Sequence, residues 1–172
     1  MTKKESIFRI GTIDDIDKIY NFLLNLNTEN AIFRLHEERA REAILSCLDH
    51  NTGRVGIIEN DQDIEGCIGL RIGRMWYTED WFLDELWNFV HPEYRRTKNA
   101  DKLIEYAKAQ ATVLGVPLVM GLVTRKQLEP KMRLYQRKMQ QIGAYFISGK
   151  ETEEFYQQRK LGKWVKVAAV QQ

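Results

Sequence analysis

The chain has 172 residues, enough for one domain with a real core. It is 44% hydrophobic and 29% charged, and its net charge of +2 gives no general attraction for nucleic acid or membrane. No apolar run approaches the ~20 residues that span a bilayer, and "MTKKESIFRIG" at the start lacks the apolar stretch of a secretory signal.

In chain order, "IFRI" (7–10) predicts a short strand. Thr12 opens "TIDD", a capping-box-like helix start with Asp15 three residues on, and Ile13, Ile16, Ile19, Tyr20, Leu23 and Leu24 follow at helical spacing. A second helix fits 37–49, with Ala40, Ile44, Cys47 and Leu48 on one face. "RVGIIENDQDIEGCIGLRIG" predicts a hairpin turning at Asp61–Gln62. Residues 74–83, "RMWYTEDWFL", fit an aromatic loop or a strand end. Beyond them 83–90 is strand-like, 99–114 a helix and 117–123 a short buried strand. A last helix begins at Pro130, with a stripe of Met132, Tyr135, Met139 and Ile142, and "AYFISG" (144–149) predicts a further strand. Residues 150–172 resist assignment.

The strand–helix–strand unit at 83–123 requires parallel strands, and the earlier hairpin adds antiparallel ones. The expected fold is therefore α/β: a mixed central sheet with helices on both faces, in one domain over 1–172. Cys47 and Cys67 stand apart, with no CxxC, and His36, His50 and His91 complete no metal-ligand spacing. The expectation is a reducing, cytoplasmic setting, with no metal and no membrane. Cys67, in "EGCIGL", reads as a buried strand residue, and His91 as loop packing or solvent-facing.

Between strand 83–90 and helix 99–114 the chain places Arg95, Arg96 and Lys98 in a turn without glycine. A helix start carries unpaired N–H groups and partial positive charge, so this turn is built to attract an anion. The segment "FVHPEYRRTKNADKLIEYA" resembles the acyl-CoA-binding segment of the Gcn5-related N-acetyltransferases (GNAT). There a strand ends in a hydrophobic-x-Pro-x-Tyr-Arg pattern before a Gln/Arg-x-x-Gly-x-Gly/Ala loop and a helix. Arg95 matches the first loop position and Ala100 the last, while Lys98 stands where glycine is usual. "RLYQRKMQQIGAYF" (133–146) resembles the family's late segment: Leu134 and Tyr135 match, Gly143 and Phe146 come late, and Leu128 stands where an asparagine is frequent.

The resemblance implies an acyltransferase that moves an acetyl group from acetyl-CoA, its co-substrate, to a primary amine. Arg95, Arg96, Thr97, Lys98, Asn99 and Ala100 would hold the CoA phosphates, and the N–H of Phe89 or Val90 would receive the thioester oxyanion. An amine needs a base to become a nucleophile, and the departing thiolate benefits from an acid. Tyr135 is the candidate acid, against packing on the Met132–Met139 stripe. Asp84, eleven residues before Arg95, and its neighbour Glu85 are the candidate bases. Simple alternation groups Asp84 with Leu86, Asn88 and Val90, and Glu85 with Trp87 and Phe89. This strand bulges in the family, however, and a bulge breaks alternation, so both carboxylates stay open as bases.

The mixture of carboxylates and rings in "WYTEDWFLDE" (76–85) favours a cationic or aromatic-compatible acceptor if it borders the cleft. Trp76, Trp81 and Trp87 also fit a homodimer or partner surface. The alternative to an enzyme is a catalytically inactive binding or interaction module of the same fold, a reading to which Lys98 and Leu128 lend support. Nucleic-acid binding through 125–138 has only a helical face of charge behind it.

Overall fold

In the computed structural model, residues 5–30, 33, 35–61, 63–124 and 127–146 are described. Strand β1 (Ile7–Ile10) leads through one 3-10 turn (Ile13–Asp15) into α1 (Ile16–Asn30), followed by α2 (Glu37–Leu48). The Thr12–Asp15 start forms as the sequence implies. Thr12 N–H donates to Asp15 Oδ2 at 2.8 Å, and Arg9 grips both Asp15 oxygens at 2.7 Å. The Arg9 hydrogen bonds hold the Asp15 carboxyl down at about 2, against the cost of its burial.

The hairpin forms from β2 (Gly53–Glu59) and β3 (Ile64–Arg74), its turn including Gln62, which lies outside the described residues. Next come β4 (Trp81–Val90), a 3-10 turn at Pro92–Tyr94, α3 (Asn99–Leu114), β5 (Leu118–Val119) and α4 (Leu128–Gln136). The sheet order is β1-β2-β3-β4-β5, antiparallel except for the parallel β4–β5 pair. This is the mixed sheet that the β4–α3–β5 crossover requires.

Alternating side chains feed two cores. Ile19, Phe22, Leu23, Ile44, Ile57 and Phe89 pack between α1, α2 and one face of the sheet. On the other face Ile58, Ile68, Leu70, Leu83, Leu103 and Ala107 pack under α3. Burial of these side chains at roughly 25 cal/mol per Å² supplies the main drive to fold.

Three sequence expectations change. The strand expected over 117–123 is only Leu118–Val119, because the chain leaves β4 after two paired residues. The helix expected to carry its stripe to Ile142 ends at Gln136. Just beyond it, Lys138 Nζ reaches Asp101 and Glu105 of α3 at 2.9 Å, and Ile142 is 82% exposed, with no core to cover it. In the strand expected at 144–149, residues 144–146 are irregular and exposed, and the rest lies outside the described residues, as does the tail over 150–172.

Candidate active site

The site follows from one irregularity in β4. Gly69 pairs with Trp87 and Leu70 with Glu85, so Leu86 is an extra residue on β4, a bulge. Gly69 makes room for it: a Cβ there would lie 2.2 Å from the Trp87 ring. Trp87 instead lies across the glycine and donates Nε1–H to Cys67 Sγ at 3.3 Å. Cys67 is thus a packing residue, as its strand position suggested, and burial pushes its thiol up to about 12.

The bulge overturns the grouping by simple alternation. Leu86 and Trp87 both turn toward α1 and α2. Glu85 is therefore carried to the α3 side, in step with Leu83, Asn88 and Val90, whereas Asp84 falls on the side of Leu86 and Trp87. Asp84 lies 3.9 Å from Arg71 and is half-buried; burial raises its pKa and Arg71 partly offsets the rise. Glu85 is more deeply placed. Its Oε2 is buried without a hydrogen-bond partner among the described residues. Burial pushes its carboxyl up to about 8, opposed by the Gly121 N–H and reinforced by the charge of Asp84.

Tyr135 of α4 comes to the same face. Its hydroxyl oxygen accepts a hydrogen bond from Asn88 Nδ2 at 3.0 Å, which leaves its own proton available to another acceptor. Enclosure, and then the charge of Glu85, raise its pKa well above the ordinary value, so the hydroxyl stays protonated. Asn88 was not singled out in the sequence. Its only signal is a position three residues past Glu85, which faces Glu85 only because of the bulge.

Beyond Asp84, β4 has no strand partner on its β5 side among the described residues. His91 N–H donates to Glu65 O of β3 at 2.8 Å, so by alternation the N–H of Phe89 also faces β3. Those of Asn88 and Val90 face the gap. Of the two expected oxyanion donors, Val90 is the one aimed into the open cleft.

The loop after β4 is pinned from below. Asn99, buried, donates Nδ2–H to Glu65 Oε2 at 2.8 Å, and Ser6 and Asn60 bond the other oxygen at 2.7 and 3.1 Å. Thr97 Oγ1 donates to Tyr94 O and accepts from Asn99 N–H. Arg95 is also committed: Nε donates to Val90 O at 3.2 Å and Nη2 to Glu29 Oε2 at 2.5 Å. Glu29, at the end of α1, also lies 3.5 Å from Lys131 of α4. No sequence pattern pointed to Glu29 or Lys131, whose spacing from Arg95 carries no local signal. Arg96 and Lys98 are exposed, without an ion pair among the described residues, and the N–H groups of Arg96, Thr97, Lys98 and Ala100 have no acceptor there. Lys98 has φ −84° and needs no glycine, whereas Arg96 has φ 66°, the left-handed region. The family's glycine position is thus relaxed here, and the conformational demand sits two residues earlier.

The aromatic segment lies elsewhere. Trp76 (94% exposed), Tyr77 and Trp81 cap the tip of the β3–β4 hairpin, and Arg74 stacks over Trp81 at 3.7 Å. Trp81 is five residues from Leu86, roughly 17 Å along the strand, so the aromatic residues at 76–81 do not line the cleft, although Asp84 and Glu85 at the segment's end lie beside the bulge. A cavity of about 310 Å³ opens on the α1–α2 side of β4, between Leu23 and Leu26 of α1, Ala43 of α2, Leu86 and Trp87 of β4, and Val123 across the gap.

The acetyltransferase (GNAT) family model matches residues 18–139. The chain therefore belongs to that family, a class of acyl-CoA-dependent N-acyltransferases. Solved structures share its fold at low identity. A GCN5-related N-acetyltransferase from Ralstonia eutropha JMP134 is 16% identical with a TM-score of 0.67, covering 84% of this chain and 98% of that one. A ribosomal-protein-alanine N-acetyltransferase from Brucella melitensis biovar Abortus 2308 is 15% identical with a TM-score of 0.61 over 84% and 99%. The aminoglycoside N-acetyltransferase AAC(6')-Iy in complex with CoA is 13% identical with a TM-score of 0.63 over 87% and 97%. A search of curated proteins finds no match. Among the described residues no helix is long and apolar enough to cross a membrane, and no group of His, Cys, Asp or Glu has the makings of a metal site.

Proposed function

We propose that this chain transfers an acetyl group from acetyl-CoA to a primary amine by direct attack on the thioester. The observation that carries the reading is the open edge of β4, with the N–H of Val90 aimed into the gap and Glu85 and Tyr135 together on one side of it. Acetyl-CoA as substrate fits the loop. The unpaired N–H groups of Arg96, Thr97, Lys98 and Ala100, with two uncommitted cations, suit its phosphates. Arg95, Thr97 and Asn99 serve by holding the loop, their side chains being engaged within the protein.

The amine reaches the cleft as a free base, and its nitrogen attacks the thioester carbon. The Val90 N–H donates to the carbonyl oxygen as it gains negative charge. Glu85, ionised, takes the proton from the new C–N centre, directly or through one water. As the C–S bond breaks, Tyr135 gives its hydroxyl proton to the sulfur, and Glu85 then returns a proton to the tyrosinate. The products are the amide and the CoA thiol, with both groups as they began. Asp84, tied to Arg71 on the other face, is the weaker candidate base. Asn88 positions Tyr135.

Calorimetric titration with acetyl-CoA, paired with CoA release from a panel of primary amines, tests the reading. Saturable binding with acceptor-dependent release is expected. Absence of binding in the folded chain would replace it with the interaction-module reading.

A further inference from the structure

The cavity beside the bulge says what kind of amine this site takes. Its wall joins α1, α2, β4 and the far arm of the gap, and among the described residues Asn27 is its one polar side chain. Among the described residues no carboxylate lines it. Asp84, on the same side of the sheet, is turned to Arg71, and Glu85 is on the other side. At about 310 Å³ it lies at the bottom of the range usual for small-molecule sites, which is room for a single ring or a short chain. Leu86, the bulged residue, forms part of its floor and immediately follows Glu85, so the cavity opens onto the edge where transfer would occur.

A polycationic acceptor such as an aminoglycoside would bury ammonium groups against this wall with no anion to pair them, a heavy desolvation penalty. An apolar body would instead exchange water for Leu26, Ala43, Leu86, Trp87 and Val123. We propose that the acceptor is a primary amine carried on one apolar or aromatic body, which fills the α1–α2 cavity and presents its nitrogen at the β4 edge. This rests on the acetyltransferase reading above and names its substrate class.

The test uses the full chain with acetyl-CoA and compares phenethylamine, tryptamine and hexylamine with kanamycin, following CoA release. An apolar amine should exceed kanamycin in kcat/KM by about tenfold or more. Ala43→Phe, which fills the cavity, should raise KM for that amine by about tenfold while KM for acetyl-CoA stays put. Calorimetry with phenethylamine reads the cavity directly, and its heat should vanish in Ala43→Phe. Preference for kanamycin, or acetyl-CoA binding with no apolar amine acetylated, would overturn the substrate class and leave the acetyltransferase reading standing. Faster turnover of hexanoyl-CoA than acetyl-CoA, lost in Ala43→Phe, would overturn it too, by giving the cavity to the acyl chain. If acetyl-CoA does not bind, the functional reading fails, and phenethylamine calorimetry decides the cavity alone: no heat removes the inference, and heat abolished by Ala43→Phe retains the apolar-amine site.

Discussion

Replacing Glu85 with glutamine tests the burial of this carboxyl apart from any activity. Its pKa is about 8 in the fold against an ordinary 4.5. Between those values the folded chain keeps a proton that the unfolded chain has lost, so stability falls as pH rises through this window. Linkage with these two values removes roughly 2–3 kcal/mol between pH 5 and pH 7. Glutamine keeps the shape of the protonated acid and cannot ionise, so Glu85→Gln lacks this slope. The stability advantage of Glu85→Gln over the parent should therefore grow by roughly 2–3 kcal/mol from pH 5 to pH 7, on the order of 5–10 °C in Tm for a chain of this size. Urea unfolding of both proteins at pH 5, 6 and 7 measures it, and the difference cancels the titration of every group they share. A constant difference across that range would refute the burial of this carboxyl, whose Oε2 has no hydrogen-bond partner among the described residues. The same substitution should lower turnover by roughly 10²-fold, and the rise of parental kcat/KM through about pH 8 should disappear.

Tyr135→Phe keeps the ring and deletes the donor; turnover should fall by roughly 10²-fold with acetyl-CoA affinity within a few-fold, measured by CoA release and calorimetry. Arg96→Ala should weaken acetyl-CoA by about tenfold through loss of a charge-assisted contact. Arg96→Gly should weaken it as much while unfolding no earlier, because glycine accepts φ 66° without strain. Lys98→Gly should also weaken binding, more at low salt than at high, since φ −84° leaves no strain to relieve; tighter binding would contradict this. Glu29→Gln should cost roughly 2–4 kcal/mol in urea unfolding, because it leaves Arg95 and Lys131 close together without their shared anion.

The strand–turn–helix run at 83–114 was legible because its signals are local. Period-2 and period-3.6 apolar patterns, a proline after the strand and basic residues at a helix start all act within one turn of chain. The mixed sheet with helices on both faces followed from the order of those elements, since a parallel pair forces a crossover. The resemblance of 133–146 to the family's late segment singled out Tyr135, which local periodicity alone would assign to packing. Local signals failed where register decides. Whether Glu85 or Asp84 faces Tyr135 depends on one inserted residue, Leu86, and that insertion exists because Trp87 lies over Gly69 on a strand eighteen residues away. A period of two has no tolerance for such a shift, so simple alternation misplaces Glu85, and the sequence, with a bulge expected here, left both carboxylates open as bases.

The same holds for the partners of the loop. The sequence determined that cations and unpaired N–H groups meet at the start of α3, but not that Arg95 would be taken by Glu29, 66 residues earlier, while Arg96 and Lys98 were left exposed. It also spread an aromatic, acidic stretch over 76–85, and only the length of the hairpin carried Trp76, Tyr77 and Trp81 to the tip, left Asp84 and Glu85 beside the bulge, and put an apolar cavity next to them. Periodicity and composition set which elements form and which face of each is apolar, because those depend on neighbours in the chain. Which charge meets which, and which carboxyl is buried away from any cation among the described residues, depends on separations of a few ångströms between distant segments, and only the packed structure fixes those.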